Sequence, residues 1–73
     1  MRARLVVEDA IFQWELYHPG ERMTYTRLAQ EANIPLSTLN RMRRQVKRIN
    51  LKKLDALAQV LDYEPADMLE FKD

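Results

Sequence analysis

Two short stretches of helical apolar spacing flank only three residues, Asn33-Ile34-Pro35, and that brevity constrains the fold more than any other feature of the chain. Before the turn, Leu28, Ala29 and Ala32 recur on one side of a helix; after it, Leu39, Met42 and Val46 do the same. Thr24 is a good N-cap for the first of these helices, since its hydroxyl oxygen can accept from an otherwise orphaned backbone amide. The helix ends near Asn33, a residue that tolerates the left-handed conformation, and Pro35 suits the start of the next, from about Leu36 to Gln45. Two helices joined this tightly form a helix-turn-helix, over about residues 24–45.

The rest of the chain is punctuated in the same way, by one glycine and three prolines placed where elements begin or end. A first helix is expected from about Glu8 to His18, with Glu8 and Asp9 favourable to its dipole and Pro19-Gly20 stopping it. Its apolar residues call for two covers. Val7, Ala10, Ile11, Trp14 and Tyr17 share one face, while Phe12 and Leu16 project from nearly the opposite one, to be covered by a terminal segment or a partner subunit. Downstream, Asn50 caps a fourth helix striped by Leu51, Leu54, Leu57, Ala58 and Leu61, and Pro65 opens a short fifth through Met68 and Leu69. The expected fold class is all-α, five compact helices in one domain over residues 1–73. The ends, Arg2 to Val6 and Leu69 to Lys72, alternate loosely and either pair as a small two-stranded sheet or stay apart.

A core built from 73 residues supplies about 3–5 kcal/mol, and without cysteine neither a disulfide nor a thiolate metal site can add to it. Oligomerisation is the remaining aid. No apolar run approaches the roughly 20 residues that span a bilayer, and acid appears by Glu8 before any leader-like stretch, so a soluble, cytoplasmic chain is expected. One histidine and one glycine leave no parts for a phosphate-cradling loop or a metal cluster. The expectation is therefore no enzyme, no catalytic residue, no metal and no cofactor. His18 reads as a helix-end residue bonding the last carbonyls, and Trp14 and the four methionines read as filling at helical spacing.

The formal net charge of +1 hides a sorted distribution. Residues 1–34 nearly cancel, with Arg2, Arg4, Arg22 and Arg27 against Glu8, Asp9, Glu15, Glu21 and Glu31. Residues 35–53 carry Arg41, Arg43, Arg44, Lys47, Arg48, Lys52 and Lys53 with no acid, and residues 54–73 carry six acids against Lys72 alone. An acid-free block inside a balanced protein suits a polyanion partner, and the acidic tail reads as a solvated segment that avoids it.

Projected at about 100° per residue, Leu36, Ser37, Asn40, Arg41 and Arg44 occupy the side of the third helix opposite its apolar residues. Their chemistry matches the major groove: arginine is bidentate to guanine, asparagine to adenine, serine donates or accepts, and an apolar tip meets a thymine methyl. Leu36, Ser37, Asn40 and Arg41 are the candidates for base readout, with Leu36 equally able to cap the core at the turn. Thr24, the amides at the start of the second helix, Tyr25, Thr38, Arg43, Arg44, Lys47 and Arg48 are the candidates for phosphate. Arg41 and Lys47 should differ in kind, the first specifying sequence and the second only adding affinity.

The stretch Leu28-Ala29-Gln30-Glu31-Ala32-Asn33-Ile34-Pro35-Leu36-Ser37-Thr38-Leu39-Asn40-Arg41-Met42 resembles the Cro/cI-type (XRE) helix-turn-helix family. The likeness extends through Lys47-Arg48-Ile49-Asn50-Leu51, then Leu54, Leu57, Ala58, Leu61, Pro65, Asp67, Met68, Leu69 and Glu70, covering about residues 23–71. Asn33 stands where that family usually has a turn glycine, Tyr25 where it has a glutamine, Pro35 where it has a capping serine or threonine, and Gln45 where a glycine often follows the recognition helix. The resemblance implies a five-helix lambda-repressor-like domain, double-stranded operator DNA as partner, and base contacts falling on Leu36, Ser37, Asn40 and Arg41. A transcriptional regulator, a repressor among the options, that dimerises at least on DNA is the expected function. An antitoxin that grips a toxin with the same domain is the alternative, although the chain shows no disordered extension to wrap such a partner.

Overall fold

The computed structural model describes residues 2–46, 48 and 50–72. Strand β1 (Arg2–Leu5) leads into α1 (Glu8–Tyr17), α2 (Tyr25–Glu31), α3 (Leu36–Arg44) and α4 (Leu51–Leu61), then a 3-10 turn (Pro65–Met68) and strand β2 (Leu69–Lys72). The ends do pair. β1 and β2 run antiparallel with Arg2 opposite Lys72 and Leu5 opposite Leu69. Period-two alternation gives the pair two unlike faces. Leu5 is buried, while on the other face Arg4 meets Glu70 at 3.2 Å, and the hydrogen bond to Glu70 raises the Arg4 pKa further above its ordinary value.

One core joins all the elements. Leu5, Val7, Leu28, Leu39, Leu57 and Met68 are its most buried side chains, so strand, loop, three helices and the 3-10 turn each supply one. The helix-turn-helix is built as its capping residues demand: the Arg27 amide donates to Thr24 Oγ1 at 3.1 Å, and Asn33 takes φ 59° to let the chain turn. Asp62 does the same at φ 50° beyond α4. On the far side of the loop after α1, the Met23 amide donates to Glu15 Oε2 at 3.0 Å, which ties the approach of α2 to the preceding helix.

Several expectations are corrected. The fifth helix is only the four-residue 3-10 turn, and Leu69 belongs to β2, because the chain must extend there to pair with β1. α3 stops at Arg44, and Gln45 is extended at φ −162°. Val46 is half-buried, but as part of a bridge rather than a helix: its amide donates to the Ala3 carbonyl at 2.6 Å. Leu51 does not join the α4 stripe inward. It is the first residue of that helix and 66% exposed, whereas Leu54, Leu57, Ala58 and Leu61 are buried where α4 packs on α1, α2 and the 3-10 turn. Tyr17 is 78% exposed, since α1 outruns the core and the His18 ring stacks on Trp14 instead, centroids 4.0 Å apart, with His18 Nδ1 2.8 Å from the Trp14 carbonyl. Phe12 and Leu16 stay 63% and 62% exposed, because β1 packs on α3 and on β2 rather than on α1. A terminal segment is thereby removed as their cover among the described residues.

Candidate nucleic-acid interface

The base-reading candidates share one exposed strip. Pro35 occupies the N-cap of α3 without a side-chain cap bond, so the first turn, carrying Leu36 and Ser37, begins abruptly at the surface. Leu36 is 38% exposed, Ser37 and Arg41 are exposed, and Asn40 is half-buried between them and the domain. Leu39, by contrast, is fully buried, and Met42 packs partly against the core. The outward sector of the helical projection is exposed at Leu36, Ser37, Arg41 and Arg44, while Asn40 is only half-exposed, and the exposure of Leu36 leaves it available to a ligand.

Behind this strip an open cleft separates the end of α3 from the start of α4, lined in part by Thr38, Arg41, Arg44, Arg48, Asn50 and Lys53. None of the four cations here has an acidic partner among the described residues. Such a concentration of uncompensated cations attracts a phosphate backbone and strengthens at low salt. Asn50 Oδ1 accepts from the Lys53 amide at 3.2 Å, which fixes the first turn of α4 at the cleft wall. Lys53 was absent from the expected site; the acid-free block that runs on to Lys53 was the signal that could have found it. Lys47, expected on phosphate, and Ile49 lie outside the described residues.

Two of the remaining phosphate candidates, Thr24 and Arg43, are occupied within the protein. Thr24 uses its hydroxyl oxygen as the α2 cap. Arg43, although it belongs to the basic block, turns inward: its guanidinium lies 3.7 Å from the Tyr25 ring centroid, 3.8 Å from a Glu8 oxygen and within 3.4 Å of Asn40 Oδ1. Arg43 Nε is buried without a hydrogen-bond partner. These contacts clamp α3 to α2 and to α1. Arg27 is a second cation satisfied within the protein, ion-paired at the surface with Glu31 at 2.6 Å and Glu21 at 3.3 Å and lying 5.0 Å from the Trp14 ring centroid. The hydrogen bond to Glu31 is the main cause of its raised pKa.

A four-residue turn, Ala32 to Pro35, between α2 and α3, a buried inner face and a cationic outer one define a helix-turn-helix protein. Residues 21–73 match the model of the Cro/C1-type helix-turn-helix DNA-binding domain, and the chain belongs to that family. The match takes in α2, α3 and α4. No curated protein matches the chain, and no solved structure does.

Proposed function

We propose that the chain is a sequence-specific double-stranded DNA-binding protein that lays α3 in the major groove and acts as a transcriptional regulator. The observation that carries this reading is the strip of Leu36, Ser37, Asn40 and Arg41, exposed or half-buried and free of acid, backed by Arg44, Arg48 and Lys53 without acidic partners among the described residues. Short α3 side chains admit close approach to base edges, while the flanking cations meet phosphate. Lys47, Thr38 and Tyr25 remain proposed backbone contacts beside them. The test is binding to random duplex DNA at two salt concentrations, followed by selection of preferred sequences. Absence of binding at low salt overturns the reading.

One recognition helix covers only a few base pairs, so two copies on half-sites about 34 Å apart are the arrangement proposed on DNA. The uncovered Phe12 and Leu16 of α1 supply an apolar surface for the second copy. Sedimentation with a selected operator should give two protomers per site. A single protomer at saturation defeats the dimer and leaves that surface to a foreign protein, as in an antitoxin.

A further inference from the structure

The contact between Arg43 and Asn40 bears on which base Asn40 can read. Arg43 Nη1 donates to Asn40 Oδ1 at 3.4 Å, from the helical position three residues on. A guanidinium has five donors and no acceptor, so only the carboxamide oxygen can face it; the flipped amide would set N–H against N–H. Arg43 is itself held in place by the Tyr25 ring at 3.7 Å and Glu8 at 3.8 Å, so it cannot easily swing away to release the amide. Both partners are partly shielded, Arg43 with a side chain only 29% exposed and Asn40 half-buried, which strengthens the orienting field over its value in open water.

We infer that Arg43 is a specificity-determining positioning residue, which turns the oxygen of Asn40 inward and presents its NH₂ outward, making Asn40 a donor that selects the keto bases guanine and thymine. An asparagine that reads adenine needs both ends of the amide at once, its oxygen accepting from N6 and its nitrogen donating to N7. Here Arg43 takes one lone pair of the oxygen and turns the amide toward itself, so the oxygen is no longer aimed at the same base edge as the nitrogen. Guanine offers two major-groove acceptors, O6 and N7, and thymine offers O4; adenine's N7 stands beside its own N6 donor and cytosine offers only a donor, so both set a donor against the outward NH₂. Arg43 touches no base in this scheme; it acts through Asn40.

This inference rests on the proposed reading of α3 as the groove-facing helix, and the test separates the two. Sequence selection is run on the wild type, Asn40→Ala, Arg43→Met and Arg43→Lys, with helix content followed by circular dichroism. Asn40→Ala identifies the base position that depends on Asn40. The wild type should prefer guanine or thymine there, and Arg43→Met, which keeps an apolar stem over Tyr25 but has no donor, should raise the adenine-to-guanine ratio at that position roughly tenfold or more. Arg43→Lys, still donor-only, should restore the keto preference, an outcome that a purely structural role for Arg43 does not produce. Adenine at the Asn40-dependent position in the wild type overturns the inference even if Arg43→Met fails to fold. An unchanged profile in a folded Arg43→Met does so as well. A selected sequence indifferent to Asn40→Ala overturns it while leaving DNA binding through α3 standing, and absence of any DNA binding overturns both.

Discussion

Two groups of cations in this domain are not distinguished by composition. Arg4 of β1, Arg27 of α2 and Arg43 of α3 are each tied to a carboxylate, Arg4 to Glu70, Arg27 to Glu21 and Glu31, and Arg43 to Glu8. From the end of α3 to the start of α4, Arg41, Arg44, Arg48 and Lys53 face an open cleft with no acidic partner among the described residues. The first group holds elements together; the second leaves charge uncompensated at the surface. Arg43 teaches the most, because it is adjacent in sequence to Arg44 and yet serves the other purpose. Its side chain emerges on the flank of α3 that meets Tyr25 of α2 and Glu8 of α1, whereas Arg44, one residue and about 100° further round, does not.

The widest separation between the groups should appear under salt. Four cations proposed on phosphate, Arg44, Lys47, Arg48 and Lys53, imply a log–log slope of about −3.6, so raising salt from 50 to 200 mM should cost roughly 100-fold in DNA affinity. Fluorescence anisotropy with a labelled duplex measures it, and a flat response would place the α3–α4 cleft away from DNA. Next in size, Arg41→Ala should cost about 1–3 kcal/mol on the preferred site and relax selectivity at one or two base positions, with nonspecific binding largely retained. An unaltered selected motif would move Arg41 out of the base-reading strip.

Arg43→Ala should act on the fold as well as on the base position that Asn40 reads. Loss of the Tyr25 stack and of the partner of Glu8 should destabilise by about 1–2 kcal/mol, seen as a fall in melting temperature of several degrees for a domain this small. The same scan on Arg44→Ala should show little change, and equal destabilisation by both would erase the distinction between the groups. Smaller again, Arg48→Ala should weaken all sequences alike and lower the salt slope by about 1, measured in the same titration. At the bottom of the scale, Arg4→Ala removes only an exposed cross-strand pair and should leave DNA affinity unchanged, as binding curves at fixed salt would report.

Much of this was legible without coordinates. Thr24, Asn33, Pro35 and Asn50 set the limits of α2, α3 and α4 because capping and turn chemistry are local: a residue's own side chain and backbone preference decide whether a helix begins or ends there. The outward strip of α3 followed from the helical period alone, since the positions opposite Leu39 must face away from the core. What the period could not give was the extent of cover. Leu51 and Tyr17 lie in the right sectors of their helices but at the helix ends, and they remain exposed. The terminal segments had a pattern weak enough to allow pairing or not; β1 and β2 form because Leu5 is buried in the common core and Val46 bridges to Ala3, contacts between residues far apart in sequence. Charge showed the same division. Sequence determined where the basic block lies, but only tertiary structure decided that Arg43 is clamped by Tyr25 and Glu8 while Arg41, Arg44, Arg48 and Lys53 remain without acidic partners among the described residues, because pairing depends on which helix faces come together and not on the order of residues along the chain.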